Sequence, residues 1–371
     1  MVKWRYYNPV RISLCNNWIE RINSIIETGQ KKKVLLISQK ELSPQRWVKD
    51  LSTNKRRVIC YDSVEENPSI ESCQIAIDFA SKIQSDCIVA IGGGSAIDTA
   101  KTVKASIISL SCNIYDLLSK GLIKKKDTIL AAIPTTHGTG SEVTPWATVW
   151  DKKNKKKLSL SSPLLYPDYA VLDPNLTLTL PFQLSVSSSL DALSHSFEAL
   201  WNKHSNPISD RFAFESIKMV FNHLQVLKEN MQRYEMRSSL LTASLLAGLA
   251  FSNTETGAAH SISYPLTLRY GIPHGIACSM PLIPLLKINA NAISNKIEAL
   301  LAVLGLDSIT DLIKKIESII DNNIEFSLHK YGVKEEELPK ILDECFTKGR
   351  IENNIIELTE KDVLNILKDI Y

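Results

Sequence analysis

Three short apolar runs, Val34-Leu35-Leu36-Ile37, Cys87-Ile88-Val89-Ala90-Ile91 and Ile129-Leu130-Ala131-Ala132-Ile133, constrain this chain more than any other feature. Each lacks the polar alternation of a strand with one wet face, and each is short for a buried helix. They read as strands covered on both sides. With their flanks they span 33–38, 87–91 and 128–133, and 58–61 is a shorter run of the same kind. Between them, 72–84 and 96–108 carry apolar residues at helical spacing. Such alternation builds a parallel sheet with helices on its faces, and ligands then bind beyond the carboxyl ends of the strands.

The pattern changes further along. Residues 148–150 and 157–160 flank a polar Asp-Lys-Lys-Asn-Lys turn and predict a β-hairpin. Asp173-Pro174 and Leu180-Pro181 are breakers. Beyond them the spacing is helical over 189–201, 209–227, 237–251 and 273–289, then in amphipathic segments to Tyr371. The expected organisation is an α/β domain over 1–180 and an all-α domain over 181–371.

Composition narrows the function classes. The chain has 371 residues, 44% of them hydrophobic and 22% charged, so an ordinary globular core is possible. The net charge is only +3, and the lysine clusters at 124–126 and 152–157 read as solvated turns, which predicts no nucleic-acid partner. Seven cysteines, odd in number and without a CxxC pair, argue against a disulfide framework and against a cysteine-based zinc site. With no signal pattern at the N-terminus and no apolar run long enough to span a bilayer, the expectation is a cytoplasmic protein with no membrane partner.

Two loops and four side chains carry the chemistry. Gly92-Gly93-Gly94-Ser95 lies between a strand and a helix start, where backbone N–H groups and the helix terminus favour phosphate oxygens. Alone it would serve equally as a tight turn. Pro134-Thr135-Thr136-His137-Gly138-Thr139-Gly140-Ser141-Glu142 follows the next strand and adds hydroxyls at the same edge, so the pair points to a nucleotide site. Asp191 and His195 stand four apart, one turn from each other on a helix face. His260 follows the small residues Gly257-Ala258-Ala259, and His274 follows Pro273 at a helix start. One carboxylate and three imidazoles suit Fe(II) or Zn(II) with a position left for substrate. His204, His223 and His329 lack such neighbours and read as surface or structural residues.

In order and spacing, the segments Gly92 to Lys101, Pro134 to Glu142, Asp191-Ala192-Leu193-Ser194-His195 and Pro273-His274-Gly275 resemble the iron-containing (group III) alcohol dehydrogenases along nearly the whole chain. That resemblance implies a Rossmann-like N-terminal domain, an all-helical metal domain and NAD(H) or NADP(H) in the cleft between them. By position it makes Asp191, His195, His260 and His274 the metal ligands and puts Gly92, Gly93, Gly94 and Ser95 at the pyrophosphate. Asp98, Thr135, Thr136, Thr139, Thr144 and Lys157 would contact the nucleotide. It also implies a homo-oligomer, with a dimer expected.

Within that family, Gly140 to Asp151 and His260 to Thr267 resemble phosphonoacetaldehyde reductases, which form 2-hydroxyethylphosphonate. Sulfoacetaldehyde reduction, which forms isethionate, and general primary alcohol oxidation are the alternatives; from another class, so is a metal-dependent lyase of the dehydroquinate synthase type. Arg269, with Asn253 and Thr254, is the candidate holder of an anionic substrate group. Three departures stand out. Tyr264 replaces a second histidine four residues after His260. Gln39 replaces the aspartate expected at the adenosine ribose, which makes NADP tolerable beside Lys40. Leu190 replaces the glycine before Asp191 and implies a locally different backbone.

Overall fold

The computed structural model describes residues 3–122, 124–320 and 324–371. These divide into two units: one comprises residues 8–136 and 141–177, the other residues 3–7, 137–140 and 178–371. Two short pieces therefore group with the helical unit although they precede the breaker at Leu180-Pro181.

The first unit is a sheet flanked by helices. In chain order it contains β1 (Arg11–Leu14), α1 (Trp18–Thr28), β2 (Lys33–Ser38), α2 (Gln45–Leu51), β3 (Arg57–Tyr61), α3 (Ile70–Ser81), β4 (Cys87–Gly92), α4 (Gly94–Ser109), α5 (Ile114–Lys120), β5 (Ile129–Pro134), β6 (Trp146–Asp151), β7 (Lys156–Ser161) and β8 (Tyr169–Leu172). Six strands pair in the order β1-β8-β5-β4-β2-β3, and every pairing is parallel. The apolar runs are buried on both faces, as their sequence requires. Val34, Leu36, Val89 and Ile91 pack with Trp18 and Ile22 of α1. Their neighbours Leu35, Ile37, Ile88 and Ala90 point the other way, into a core with Ile97, Ala100 and Val103 of α4. β6 and β7 form the expected antiparallel hairpin.

The strand order reverses between β2 and β4, and the glycine loop sits at that switch point, on the carboxyl edge. Gly92 has φ +153°, and a Cβ there would lie 2.5 Å from Gln39 Oε1 and 2.7 Å from Ala96 Cβ. Only glycine fits this turn.

The second unit is helical: α6 (Phe182–Leu200), α7 (Pro207–Leu227), α8 (Tyr234–Thr254), α9 (Ala258–Tyr270), α10 (His274–Ser279), α11 (Leu282–Asn289), α12 (Ser294–Leu304), α13 (Ile309–Ile320) and α14 (Glu360–Asp369). α6 is buried over its entire length from Ser185 onward, so its polar residues must find partners inside the protein. α7 starts at a capping box: Asn206 accepts from the amides of Ile208 and Ser209, with Pro207 at the first helical position.

Several expectations change here. α6 begins at Phe182, seven residues before the predicted start, and Leu190 lies within regular helix. Residues 273–289 are two helices broken at Met280-Pro281. The segment His274–Leu304 contains an 18-residue window apolar enough to cross a bilayer, with mean hydropathy 1.4, contrary to the sequence reading; 67% of that window is buried inside the protein, as a core segment would be. The described residues 324–359, expected as amphipathic helix, form short 3-10 turns instead.

Candidate metal centre

The candidate centre is built by three helices of the second unit. α6 brings Asp191, His195 and Glu198 along one stripe, at spacings of four and three. α9 brings His260 in its first turn, and α10 begins at His274. Two glycines allow these helix starts to come close to α6. A Cβ on Gly275 would overlap the carbonyl oxygen of Ser187, and one on Gly257 would lie 3.3 Å from Glu198 Oε1. The proline and glycine around His274 therefore have local structural reasons.

Asp191 Oδ1 is the hub. His260 Nε2 lies 3.4 Å from it and His195 Nδ1 3.6 Å from it. The Cys278 thiol donates to it at 3.3 Å. Asp191, His260, His274 and Cys278 offer donor atoms that all lie within 4.8 Å of one another. Asp191, His260 and Cys278 are buried and His274 is half-buried, so the cluster is least covered on the His274 side. The structure thus brings together the three helices that sequence spacing selected, and adds a cysteine that the search for CxxC pairs could not find. His195 adjoins this set. Its Nδ1 is 3.3 Å from the carbonyl oxygen of Gly138, and its ring stacks on Phe251 at 3.9 Å and on His260 at 4.4 Å.

Glu198 is the other residue that sequence reading missed. It has no exposed surface, and its carboxylate accepts from the backbone amide of His260 at 3.1 Å and from His260 Nδ1 at 2.5 Å. A carboxylate holding Nδ1–H fixes the ring and leaves Nε2 to a cation. The signal was present, since Glu198 continues the Asp191–His195 stripe by one more turn. His260 Nε2 is buried and has no hydrogen-bond partner among the described residues. That orphaned atom, aimed at Asp191, is what a divalent transition metal fits, and N, O and S donors suit Fe(II) or Zn(II).

The electrostatics follow from burial and pairing. Burial would raise Asp191, but the charges of His195, His260 and His274 outweigh it and hold the carboxyl well below its usual range. Burial would lower His260, yet Glu198 and Asp191 raise it to about 10. Burial, with Asp191 adding to it, pushes the Cys278 thiol up.

The predicted nucleotide residues fall into different settings. In the first unit, the Thr135 amide donates to the Gly92 carbonyl at 3.0 Å. The Thr136 side chain lies against Gly93, 3.3 Å from where a Cβ would stand. Ser95 Oγ accepts from the Asn67 amide at 3.1 Å. Asp98 and Thr144 have strong partners within the protein. Asp98 accepts from Ser141 Oγ at 2.6 Å and from the Thr148 amide at 2.9 Å, while Thr144 Oγ1 accepts from Lys101 Nζ at 3.0 Å. They pin the 141–148 segment to α4. Lys157 Nζ lies 5.7 Å from the centre of the Trp150 ring. In the second unit, half-buried Thr139 stands between Gly138 and Gly140, which pack against the backbones of Ser188 and Gly248.

The proposed anion holders each have partners within the protein. Arg269 is paired through Nε and Nη2 with Glu344, nine residues along α9 from His260, which is about 13 Å of helix. Asn253 exchanges hydrogen bonds with the backbone of Tyr7 at 2.8 and 3.0 Å and anchors the N-terminal segment. Thr254 is buried and donates to the Glu255 carbonyl. Each has a structural duty, and Arg269 is withdrawn from the site.

Comparison with known proteins accords with this geometry. The model of the "Iron-containing alcohol dehydrogenase" family matches residues 9–174, and that of the "Fe-containing alcohol dehydrogenase family, C-terminal" matches residues 185–371. The chain belongs to the iron-containing alcohol dehydrogenase family. It is an enzyme of the dehydrogenase and reductase class, which sets aside the lyase alternative. It is 32% identical to the 4-hydroxybutyrate dehydrogenase of Clostridium kluyveri over 82% of this chain and 84% of that one. It is 31% identical to the sulfoacetaldehyde reductase of Bilophila wadsworthia over 81% of each. The solved sulfoacetaldehyde reductase of Bifidobacterium kashiwanohense in complex with NAD+ superposes with a TM-score of 0.92 at 26% identity, covering 100% of this chain and 99% of that one.

Proposed function

We propose that this enzyme is a metal-dependent, NAD(P)H-linked reductase of a short aldehyde with an anionic end, and that phosphonoacetaldehyde, giving 2-hydroxyethylphosphonate, is its substrate. The observation that carries the metal-dependent chemistry is the buried donor cluster around Asp191 Oδ1, least covered at His274. Support for the anionic end comes from relatives named for 4-hydroxybutyrate and sulfoacetaldehyde, two compounds with a charged group at the end of a short chain. The phrases from Gly140 to Asp151 and from His260 to Thr267 favour the phosphonate among them.

A bound Fe(II) or Zn(II) supplies a Lewis acid that polarises a carbonyl oxygen. Asp191, His195, His260 and His274 would hold it. The protein's own groups do the rest. Glu198 holds the proton on His260 Nδ1, so that Nε2 is the nitrogen at which a cation would replace the second proton. The Gly138 carbonyl does the same for His195 Nδ1. The Phe251 ring against His195 keeps water from that side. The glycine loop at the β2/β4 switch point, with Thr135 and Thr136, is the proposed pyrophosphate cradle, and Gln39 beside Gly92 lacks the negative charge that would repel a 2′-phosphate. A dimer remains part of the proposal, supported by edge strand β1, which exposes Ile12 and Leu14.

The test is a parallel assay of phosphonoacetaldehyde, sulfoacetaldehyde, succinate semialdehyde and propanal with NADH and NADPH. The proposal expects the highest kcat/KM for phosphonoacetaldehyde. A preference for one of the other anions would reassign the substrate, and equal rates with propanal would remove the requirement for charge.

A further inference from the structure

We propose that the metal site of this chain includes a sulfur donor, Cys278, beside Asp191, His260 and His274. This rests on the metal reading above and goes beyond it. The ligand set expected from sequence contained only nitrogen and oxygen. The set whose donor atoms are mutually within 4.8 Å contains Cys278 Sγ.

The spacing is that of ligands around a shared ion. Donors bound at the usual zinc distances stand roughly 3.4–3.6 Å apart at tetrahedral angles. Cys278 Sγ is 3.3 Å from Asp191 Oδ1, and His260 Nε2 is 3.4 Å from the same oxygen. A second observation points at the same place: His260 Nε2 is buried with no hydrogen-bond partner among the described residues. Cys278 follows His274 by four residues on α10, so one short helix presents both side chains on one face. Ligation breaks the S–H bond, forms a sulfur–metal bond and releases the proton to solvent, with no change of oxidation state. A thiolate shifts the site toward softer ions, Zn(II) or Co(II) as well as Fe(II).

Cobalt substitution tests this without relying on turnover. The full chain is stripped with a chelator, loaded with Co(II), and its absorption spectrum recorded beside that of Cys278→Ser, which can still donate a hydrogen bond to Asp191. The proposal expects visible d–d bands in both proteins, and a near-ultraviolet sulfur-to-cobalt charge-transfer band in the wild type that is lost in the serine variant. Visible bands without the charge-transfer band in the wild type would overturn sulfur ligation and leave the metal site standing. Absence of all cobalt bands, with no cobalt retained after gel filtration, would overturn both.

Discussion

Glu198 shows how much one side chain can decide at the scale of a residue. Its two hydrogen bonds to His260 set both the backbone and the ring of a proposed ligand. Glu198→Gln keeps the shape but removes the charge that holds Nδ1–H, and metal affinity should fall roughly ten- to a hundredfold, the range for losing such a support. Competition with a fluorescent zinc chelator measures this; unchanged affinity would make Glu198 a packing residue only. Glu142 makes a different case. Among the described residues its buried carboxylate has no partner beyond its own backbone amide, and burial raises it from 4.5 to about 7 against the weaker pull of Lys101. Between those values the folded chain holds a proton that the unfolded chain has lost, so this contribution to stability is present at low pH and disappears as pH rises toward 7. Glu142→Gln should therefore lose less stability than the wild type between pH 5 and pH 8 in urea unfolding, and parallel losses would show that Glu142 ionises normally. Asp191 and His195 were legible because a helix puts positions four apart on one face. Cys278 stands four after His274 on α10, the same spacing, but its contact with Asp191 runs between helices, and no local pattern links those two.

At the scale of elements, close helix approach is the controlling feature. α10 starts where Gly275 lies against the Ser187 carbonyl of α6, so His274 is placed by a contact that tolerates no side chain. Gly275→Ala should cost about 1–3 kcal/mol through overpacking and should also weaken metal binding, since α10 carries both His274 and Cys278. Urea midpoints and the same chelator competition read the two effects; a variant that loses neither would mean that the helices shift freely. The buried strands β2, β4 and β5 were legible because two-sided burial leaves a continuous apolar run. β1 and β8 escaped notice at four residues each, and Arg11 and Ser13 make β1 look like loop. Arg269 shows the opposite error. A cation lying between two ligands in sequence is not between them in space when the helix carries it away.

At the scale of the whole molecule, the sequence foretold a parallel sheet followed by helices. It did not foretell that residues 3–7 and 137–140 group with the helical unit, because those assignments depend on contacts with α6 and α8 and not on local pattern. The account stands on a metal held at Asp191, His195, His260 and His274 in an aldehyde-reducing enzyme. Its most direct test is the metal content and NAD(P)H-linked aldehyde turnover of one preparation, measured before chelation, after it, and after adding back Fe(II) or Zn(II). The account predicts that one ion per chain and the activity leave together and return together, and that neither returns in His260→Ala. Full turnover by protein shown to contain no metal would contradict it.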